Sequence, residues 1–427
     1  MLAGPRLSRR RRKRKLRLWD FMVHQIPVFS RRGVRYLLCD EFHDTRAAGA
    51  VNATVATPGP GTRAAKDTAG TTLSIGSGIA TLDGGGAAAD PSLFWDAQTR
   101  EAGRLLIVSF VNNDGGKRGR AGWAVAQNVE IAELCANWNH VSKIRFFPGT
   151  SLDIAYAAGT TYEIALVLGA VGGYALVKGG VYTTWTFAFH LLTNSAASPY
   201  PGIASTDTAV IDAGVQWIRV PARLWLPRPA AYDSFTRANG AIGTSETTGP
   251  DGAAQPCTAR TWNNRVGTTQ IATNKASASA LVGGLAIATM DTGTINVVMQ
   301  GTLTSAGDEV GVVLRYVDAS TSVRAIHDGT NMKLIKRVAT SETDVISAVV
   351  ALGAGAVEVH ADGTSFELFL NNAKVGATST ISDAALQTGT QQGLFSTNVG
   401  NTQDALLVMP RKTTYDGALN RYSGARP

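Results

Sequence analysis

The stretch that decides the fold reads Asp-Glu-Phe-His-Asp-Thr-Arg-Ala-Ala-Gly-Ala-Val at residues 40–51, and it recurs as Asp-Ser-Phe-Thr-Arg-Ala-Asn-Gly-Ala-Ile at residues 233–242. Three further pairs of similar segments follow in the same order along the chain. They are 157–166 with 361–370, 202–207 with 393–398, and 215–221 with 404–410. Collinear self-similarity at a similar spacing is typical of a duplicated structural unit. The chain is therefore predicted to contain one domain twice.

Within each repeat, apolar and polar residues alternate with a period of two, as in Val-Glu-Val-His at 357–360. This alternation predicts strands with one buried face. Turn-forming pairs such as Asp-Gly at 362–363 and Asn-Asn at 371–372 separate the strands. Helical patterning is confined to residues 129–138 and 381–387. Many short strands in about 180 residues per repeat favour an all-β, two-sheet sandwich over a small barrel.

The repeats and the composition of the segments around them divide the chain into five parts. These are a basic N-terminal arm (1–35), a first domain (38–222), a Pro-rich linker (223–232), a second domain (233–410) and a C-terminal tail (411–427). Proline restricts the backbone of such a linker, so we expect the two domains to hold a defined relative orientation. The tail shows no pattern typical of a core.

The formal net charge of +8 belongs to the arm rather than to the body of the chain. Residues 1–17 contain nine Lys or Arg and no acidic residue, which leaves 31 basic and 32 acidic side chains elsewhere. The folded body is therefore predicted to be close to neutral. No run of about 18 apolar residues is present, so no membrane span is predicted.

The repeated segments resemble a known family. The Asp-x-Phe-x-Arg opening at 233–237, the Gly-Thr-Ser-Phe-Glu-Leu segment at 363–368 and the Gly-Leu-Phe-Ser-Thr-Asn segment at 393–398 are similar to motifs of concanavalin A-like, laminin-G-type jelly rolls. The tandem pair, over residues 38–410, resembles tail and structural proteins of tailed bacteriophages. The resemblance implies two tandem jelly-roll β-sandwiches and a location in the virion, at the tail or the particle surface. It supplies no active site.

The arm lies outside this resemblance, and three interpretations of it stay open. In the first, the arm anchors the protein to an acidic groove of a neighbouring virion subunit, or to packaged nucleic acid without sequence-specific contacts. In the second, it is a solvated run of charges. In the third, translation starts at Met22, so that the basic block is not part of the native protein. Under the first interpretation the anchoring residues are Arg9, Arg10, Arg11, Arg12, Lys13, Arg14, Lys15, Trp19 and Phe21.

No catalytic residue is predicted. Glycoside hydrolysis needs two carboxylates roughly 5 to 10 Å apart, and no acidic cluster on one strand face provides them. Glu163 and Glu367 stand at matching places in the second pair of similar segments, where exposed strand acids are the simpler interpretation. Glu130 and Glu133 on a candidate helix are likewise expected to be solvated, and the acidic pair at 308–309 lies in a turn-like segment.

No cofactor or metal ligand is predicted either. The three cysteines and six histidines are scattered, and calcium binding by the oxygen-rich turn at 112–114 is a weaker alternative to a simple turn. A set of tryptophans could form a sugar platform, but their apolar neighbours favour a place in the core. They are Trp95, Trp123, Trp138, Trp185, Trp217 and Trp262.

The resemblance, together with the missing catalytic and metal motifs, implies a non-enzymatic virion structural protein, present in many copies or as a homo-oligomer and bound to other virion proteins. Two alternatives stay open. The first is an adhesin that binds a cell-surface glycan, and the second is a polysaccharide-degrading enzyme.

Overall fold

The computed structural model describes residues 29–423, except for short segments inside this range. Those segments are 32–33, 67–71, 84–90, 113–118, 128–130, 132–133, 140–142, 148–151, 156, 158, 171, 192–198, 206–212, 352–353 and 413–414. The described residues form 34 strands, one 3₁₀ turn and one short α-helix. The predicted fold class, tandem jelly-roll β-sandwiches, is confirmed. The anchoring residues of the arm lie outside the described residues.

The first half of the chain holds sixteen strands. In chain order they are β1 (Phe29–Arg31), β2 (Val34–Asp40), β3 (Ala64–Lys66), β4 (Thr72–Gly76), β5 (Ile79–Asp83), β6 (Ser92–Phe94), β7 (Leu105–Asn112), β8 (Gly119–Ala124), β9 (Leu134–Asn139), β10 (Lys143–Phe147), β11 (Leu152–Ala155), β12 (Thr161–Leu168), β13 (Gly173–Gly179), β14 (Tyr182–Leu191), β15 (Tyr200–Ser205) and β16 (Ala213–Pro221).

The second half holds the other eighteen strands and the two helical segments. In chain order they are β17 (Ala231–Asp233), β18 (Gly240–Ala241), β19 (Thr248–Gly249), β20 (Gly252–Pro256), β21 (Asn263–Val266), β22 (Thr268–Ala272), β23 (Lys275–Ala280), β24 (Ala286–Asp291), β25 (Val297–Thr304), β26 (Val310–Asp318), β27 (Thr321–His327), β28 (Asn331–Val338), β29 (Ser341–Val349), β30 (Ala354–Asp362), β31 (Ser365–Leu370), β32 (Ala373–Thr380), the 3₁₀ turn Ala384–Gln387, β33 (Gln391–Ser396), β34 (Thr402–Pro410) and the helix α1 (Asp416–Leu419).

Among the described residues, each half forms one nine-stranded and one seven-stranded antiparallel sheet, and the second half adds a two-stranded sheet of β19 and β20. The nine-stranded sheets, called inner sheets here, have the order β1-β2-β16-β7-β12-β13-β14 with β4 and β5 attached to β16, and β18-β22-β23-β34-β25-β30-β31-β32 with β17 attached to β34. The seven-stranded sheets, called outer sheets, have the order β11-β10-β9-β8-β15-β6-β3 and β29-β28-β27-β26-β33-β24-β21. Strand by strand, the outer sheets correspond one to one, as a duplication requires.

The repeated opening builds the same buried cluster in both halves. Asp40 and Asp233 are fully buried, and each accepts a hydrogen bond from the backbone N–H two residues later, at 3.1 and 2.9 Å. Each also accepts the indole N–H of a tryptophan, Trp95 at 3.1 Å and Trp262 at 2.7 Å. The opening therefore specifies the fold rather than a reaction.

The arginine of this cluster differs between the halves. Arg237 binds Asp233 four residues away in the chain. In the first half, Arg63 instead of the aligned Arg46 binds Asp40, with two bonds of 2.7 Å. In both halves the buried aspartate thus binds an arginine, but the two arginines come from different positions in the sequence.

One of the four sequence matches is wrong by one strand. Segment 157–166 leads into β12, whereas segment 361–370 leads into β31. The sheet orders make β12 the equivalent of β30, and β13 the equivalent of β31. Glu163 and Glu367 are consequently not equivalent positions.

Three hydrophobic cores lie between the four large sheets. Two fill the sandwiches, and the third joins the outward faces of the two inner sheets. This third core includes Trp185 and Trp217 from the first half and Val298 and Met409 from the second. The sheets therefore stack as four layers, with the inner sheets facing each other.

The expectation of one buried face per strand fails for the inner sheets. In β30, Val357 and Val359 enter the sandwich core, while Glu358 and His360 are also buried, at 3% and 4% exposed. The face of β30 that carries these two side chains packs against the first half. Gln300 of the neighbouring strand β25 contacts His190 of the first half at 3.0 Å and Glu358 at 3.3 Å. Alternation in sequence identified the strand but not the second covering layer.

The C-terminal segment was predicted to lack any core pattern, and this is wrong. Tyr415, Leu419 and Tyr422 are at most 2% exposed and belong to the core between the inner sheets. The linker joins them there, since Trp225 packs edge-on against Tyr415 at a ring distance of 6.2 Å. Both segments fix the contact between the halves.

The two helix predictions have different outcomes. Residues 134–139 form strand β9, so the helix expected over 129–138 is wrong in its described part. The second candidate, 381–387, contains the 3₁₀ turn Ala384–Gln387. In the part of the chain that the structure describes, no helix is long and apolar enough to span a membrane.

Candidate binding site on the outer sheet of the second half

The outward side of the second outer sheet carries a row of charged side chains. Ser322 pairs with Arg337 across β27 and β28, and Arg337 pairs with Glu342 across β28 and β29. Side chains at these cross-strand positions point to the same face of a sheet. The intervening residues Val323 and Leu334 lie in the sandwich core. The charged row, called the outer face below, therefore points away from the core.

An apolar layer underlies these charges. Ile326, Val313 and Phe395 are fully buried on this side of the sheet and form a cluster separate from the sandwich core. The guanidinium carbon of Arg324 lies 4.8 Å from the ring centroid of Phe395. A cation over an aromatic ring is attracted by its quadrupole, so Arg324 is held flat over the apolar layer.

Arg324 is the most buried charge of the outer face, with only 3% of its side chain exposed. Its Nη1 donates to Glu342 Oε1 at 3.0 Å, and Arg337 Nη1 donates to the same oxygen at 2.9 Å. Burial lowers the pKa of Arg324, but an arginine keeps its charge at physiological pH. Two guanidinium groups therefore share one carboxylate.

Four further ionisable groups border this arrangement: Lys333, Asp328, Asp344 and Glu309. Lys333 Nζ lies 2.9 Å from Asp328 Oδ2 and 3.4 Å from Asp344 Oδ2. The hydrogen bond with Asp328 raises the pKa of Lys333. Burial raises the pKa of Glu309, with a further contribution from Glu342. Glu309, which the sequence places in a turn-like segment, is partly buried beside the charged row.

Several polar atoms of the outer face are buried without a hydrogen-bond partner. They are Ser322 Oγ, Arg324 Nε, Arg324 Nη2 and Arg337 Nε. A buried donor without a partner costs roughly 1 to 3 kcal/mol, and such groups in native proteins call for a specific explanation. These atoms lie on two neighbouring strands of the described residues, and an added acceptor would reach them only if the charged side chains above them move.

The arrangement is suited to binding an oxyanion. Guanidinium groups present N–H donors in a planar fork that matches carboxylate, sulfate and phosphate geometry. The exposed groups at the rim are carboxylates, Glu342 at 43% and Asp344 at 45%, so an oxyanion would have to replace them at the guanidinium groups. The sequence interpretation missed these residues, although Arg324 and Arg337 on consecutive strands were a usable signal.

The candidate tryptophans do not form a sugar platform. All six are between 0% and 5% exposed, which confirms their expected place in the core. Glu163 and Glu367 are half-buried rather than exposed. Glu367 is engaged by Lys374 Nζ at 2.6 Å and by Thr378 Oγ1 at 3.0 Å.

Other sequence candidates cannot be placed. Glu130, Glu133 and residues 113–114 of the proposed calcium turn lie outside the described residues. Within the described ranges, no group of three or more His, Cys, Asp or Glu side chains is arranged to hold a metal ion.

The chain matches no protein-family model and no curated protein. It is similar in structure to a carbohydrate-binding module, CBM66 from Bacillus subtilis, with 13% identity and a TM-score of 0.27 over 35% of this chain and 92% of that one. The metal-free exoplasmic/lumenal domain of VIP36 gives 7% identity and a TM-score of 0.31 over 44% and 95%. The GH43 protein BlXynB from Bacillus licheniformis gives 9% and 0.27 over 82% and 86%. At these TM-scores the functional argument rests on the chain's own residues.

Proposed function

We propose that this protein is a non-enzymatic, carbohydrate-binding protein that recognises carboxylated or sulfated glycans on its outer face. The observation that carries the proposal is the buried guanidinium of Arg324, which keeps two N–H groups without a partner beside Arg337 and Ser322. Donors held in a dry site gain more from an anionic acceptor than donors in water do.

Charge rather than stacking provides the recognition. The aromatic rings near the site are covered, as Phe395 is fully buried and Tyr316 is 5% exposed. The cationic groups of Arg324, Arg337 and Lys333 lie on two adjacent strands about 4.8 Å apart, where Glu342, Asp328 and Asp344 already pair with them, so an acidic ligand would bind by displacing these carboxylates. A polysaccharide with repeated acidic groups can engage such a row at several points, and many copies would add avidity.

A glycan array with the full chain tests the proposal. We expect hits among acidic glycans, weakened by added salt because exposed charges are screened, and no hits among neutral ones. Arg337→Gln should abolish them, whereas Lys275→Gln, the same loss of charge on an exposed inner-sheet residue, should not. An array without acidic hits would refute the proposal.

A second candidate function is a structural role in a phage particle, favoured by the nine basic residues among the first 17. Strand β1 begins at Phe29, so deletion of residues 1–28 spares the described sheets. If the arm anchors the protein, the shortened chain should fold but fail to enter particles. Unchanged incorporation would exclude this role of the arm.

A further inference from the structure

A separate cleft opens where β2, the linker and the C-terminal segment meet. Its volume is about 390 Å³, within the range of small-molecule sites. Its lining residues are Val34, Arg35, Ala222, Arg223, Arg421 and Tyr422. None of them belongs to the outer face.

Three arginines from three parts of the chain converge on this cleft. Arg35 lies in β2, Arg223 follows β16, and Arg421 follows α1. None forms an ion pair with an acidic residue of the described chain; Arg421 only donates one hydrogen bond, to the Gly417 carbonyl oxygen at 3.2 Å. Like charges brought together repel one another, so the arrangement favours a negatively charged occupant.

The floor of the cleft is fixed by the core behind it. Tyr422 is 2% exposed, and its carbonyl oxygen accepts a hydrogen bond of 2.5 Å from Arg219 Nη1. Arg219 Nη2 in turn binds the buried Glu41 at 2.6 Å. The backbone N–H of Ala222 donates to the Arg35 carbonyl oxygen at 2.9 Å, which ties two walls together. The backbone that carries Arg35, Arg223 and Arg421 is therefore held in place by the core behind the cleft.

The chemistry of the cleft combines charge with an apolar surface. Burial raises the pKa of Tyr422, against the opposing effects of Arg421 and Arg223. The guanidinium carbon of Arg421 lies 5.9 Å from the ring centroid of Tyr422. Val34 and Ala222 complete an apolar wall. A compact ligand with two or more negative groups fits this combination better than a single small anion.

We infer that this cleft binds a multivalent oxyanion, either a phosphate compound or a di- or tricarboxylate. The three guanidinium groups supply the charge and the forked donors, while the Tyr422 floor excludes water from one side. This site is independent of the glycan-binding proposal.

Isothermal titration of the full chain with pyrophosphate and with citrate, at constant ionic strength, tests the inference. We expect saturable binding of at least one probe, and the preferred probe distinguishes phosphate from carboxylate chemistry. Arg223→Gln and Arg421→Gln should each weaken it at least tenfold. Arg228→Gln, an exposed residue of the same linker outside the cleft, is the matched control and should leave it unchanged.

Two results would overturn the inference. One is the absence of saturable binding for both probes. The other is binding that persists in both cleft variants, or that falls equally in Arg228→Gln, since this would assign the anion to the basic arm or to general surface charge.

Discussion

At the scale of single residues, the buried aspartates explain why the opening is repeated. Phe42 and Phe235 adopt positive φ angles of 52° and 56°, which are costly for a bulky side chain. The hydrogen bonds of their backbone N–H groups to Asp40 and Asp233 hold this conformation in both halves. The sequence predicted that these residues specify the fold. It could not show that Arg63 replaces Arg46, because that choice depends on a distant turn.

Asp233→Asn should destabilise the second sandwich by about 3 kcal/mol, since it leaves Arg237 without its buried charge partner. The measurement is the free energy of unfolding in urea. Asp404→Asn, at a residue whose side chain is 50% exposed and 3.8 Å from Lys275, is the control and should change it by less than about 0.5 kcal/mol. A small effect at Asp233 would contradict the role given to the cluster.

His190 should make stability depend on pH. It is buried against Gln300, and burial lowers its pKa below the ordinary value of 6.5. The unfolded state therefore takes up a proton more readily, so this contribution is present above pH 6.5 and is lost as the pH falls below it. The slope from this group is at most about 1.4 kcal/mol per pH unit.

Unfolding free energies between pH 7.5 and 5.5 check this effect. His190→Gln should give a shallower slope than the native chain. An identical slope in His190→Gln would show that His190 is not the titrating group.

At the scale of elements, periodicity predicted strands and turns well. The Asn371-Asn372 turn is a clear case, with φ angles of 49° and 64° between β31 and β32. The mismatched second pair of segments could have been recognised from its spacing, since 361 − 157 is 204 residues whereas 393 − 202 is 191. Local periodicity does not encode which strands are covered by a further layer. It therefore could not predict that Glu358 is buried.

The C-terminal segment should contribute strongly to stability although it contains only one short helix. Leu419 is fully buried between the inner sheets, so Leu419→Ala should cost about 3 kcal/mol through lost contacts and a cavity. Urea unfolding measures this change. Asn420→Ala, at the exposed neighbour, should cost much less. Equal and small changes in the free energy of unfolding for both variants would mean that the C-terminal segment does not stabilise the core between the inner sheets.

At the scale of the whole molecule, the core between the inner sheets couples the two halves. Because Trp185, Trp217, Leu407 and Met409 share this core, neither half can unfold without exposing apolar surface of the other. We expect one cooperative transition in calorimetry of the full chain. Two well-separated transitions would contradict this coupling.

The four-layer stack also decides where a ligand can bind. The broad faces of the inner sheets are covered, so the outward faces of the outer sheets remain available, and in the second half this face carries Arg324 and Arg337. The sequence predicted the sandwiches but not this site, because its charges come together only through strand register.

The most direct test of the proposed function is a calorimetric titration of the full chain with an oligosaccharide of uronic acids and with its carboxyl-reduced, neutral counterpart. Binding of the acidic form alone, lost in Arg337→Gln and kept in Lys275→Gln, is the predicted result. Equal binding of both forms, or binding unaffected by Arg337→Gln, would contradict it.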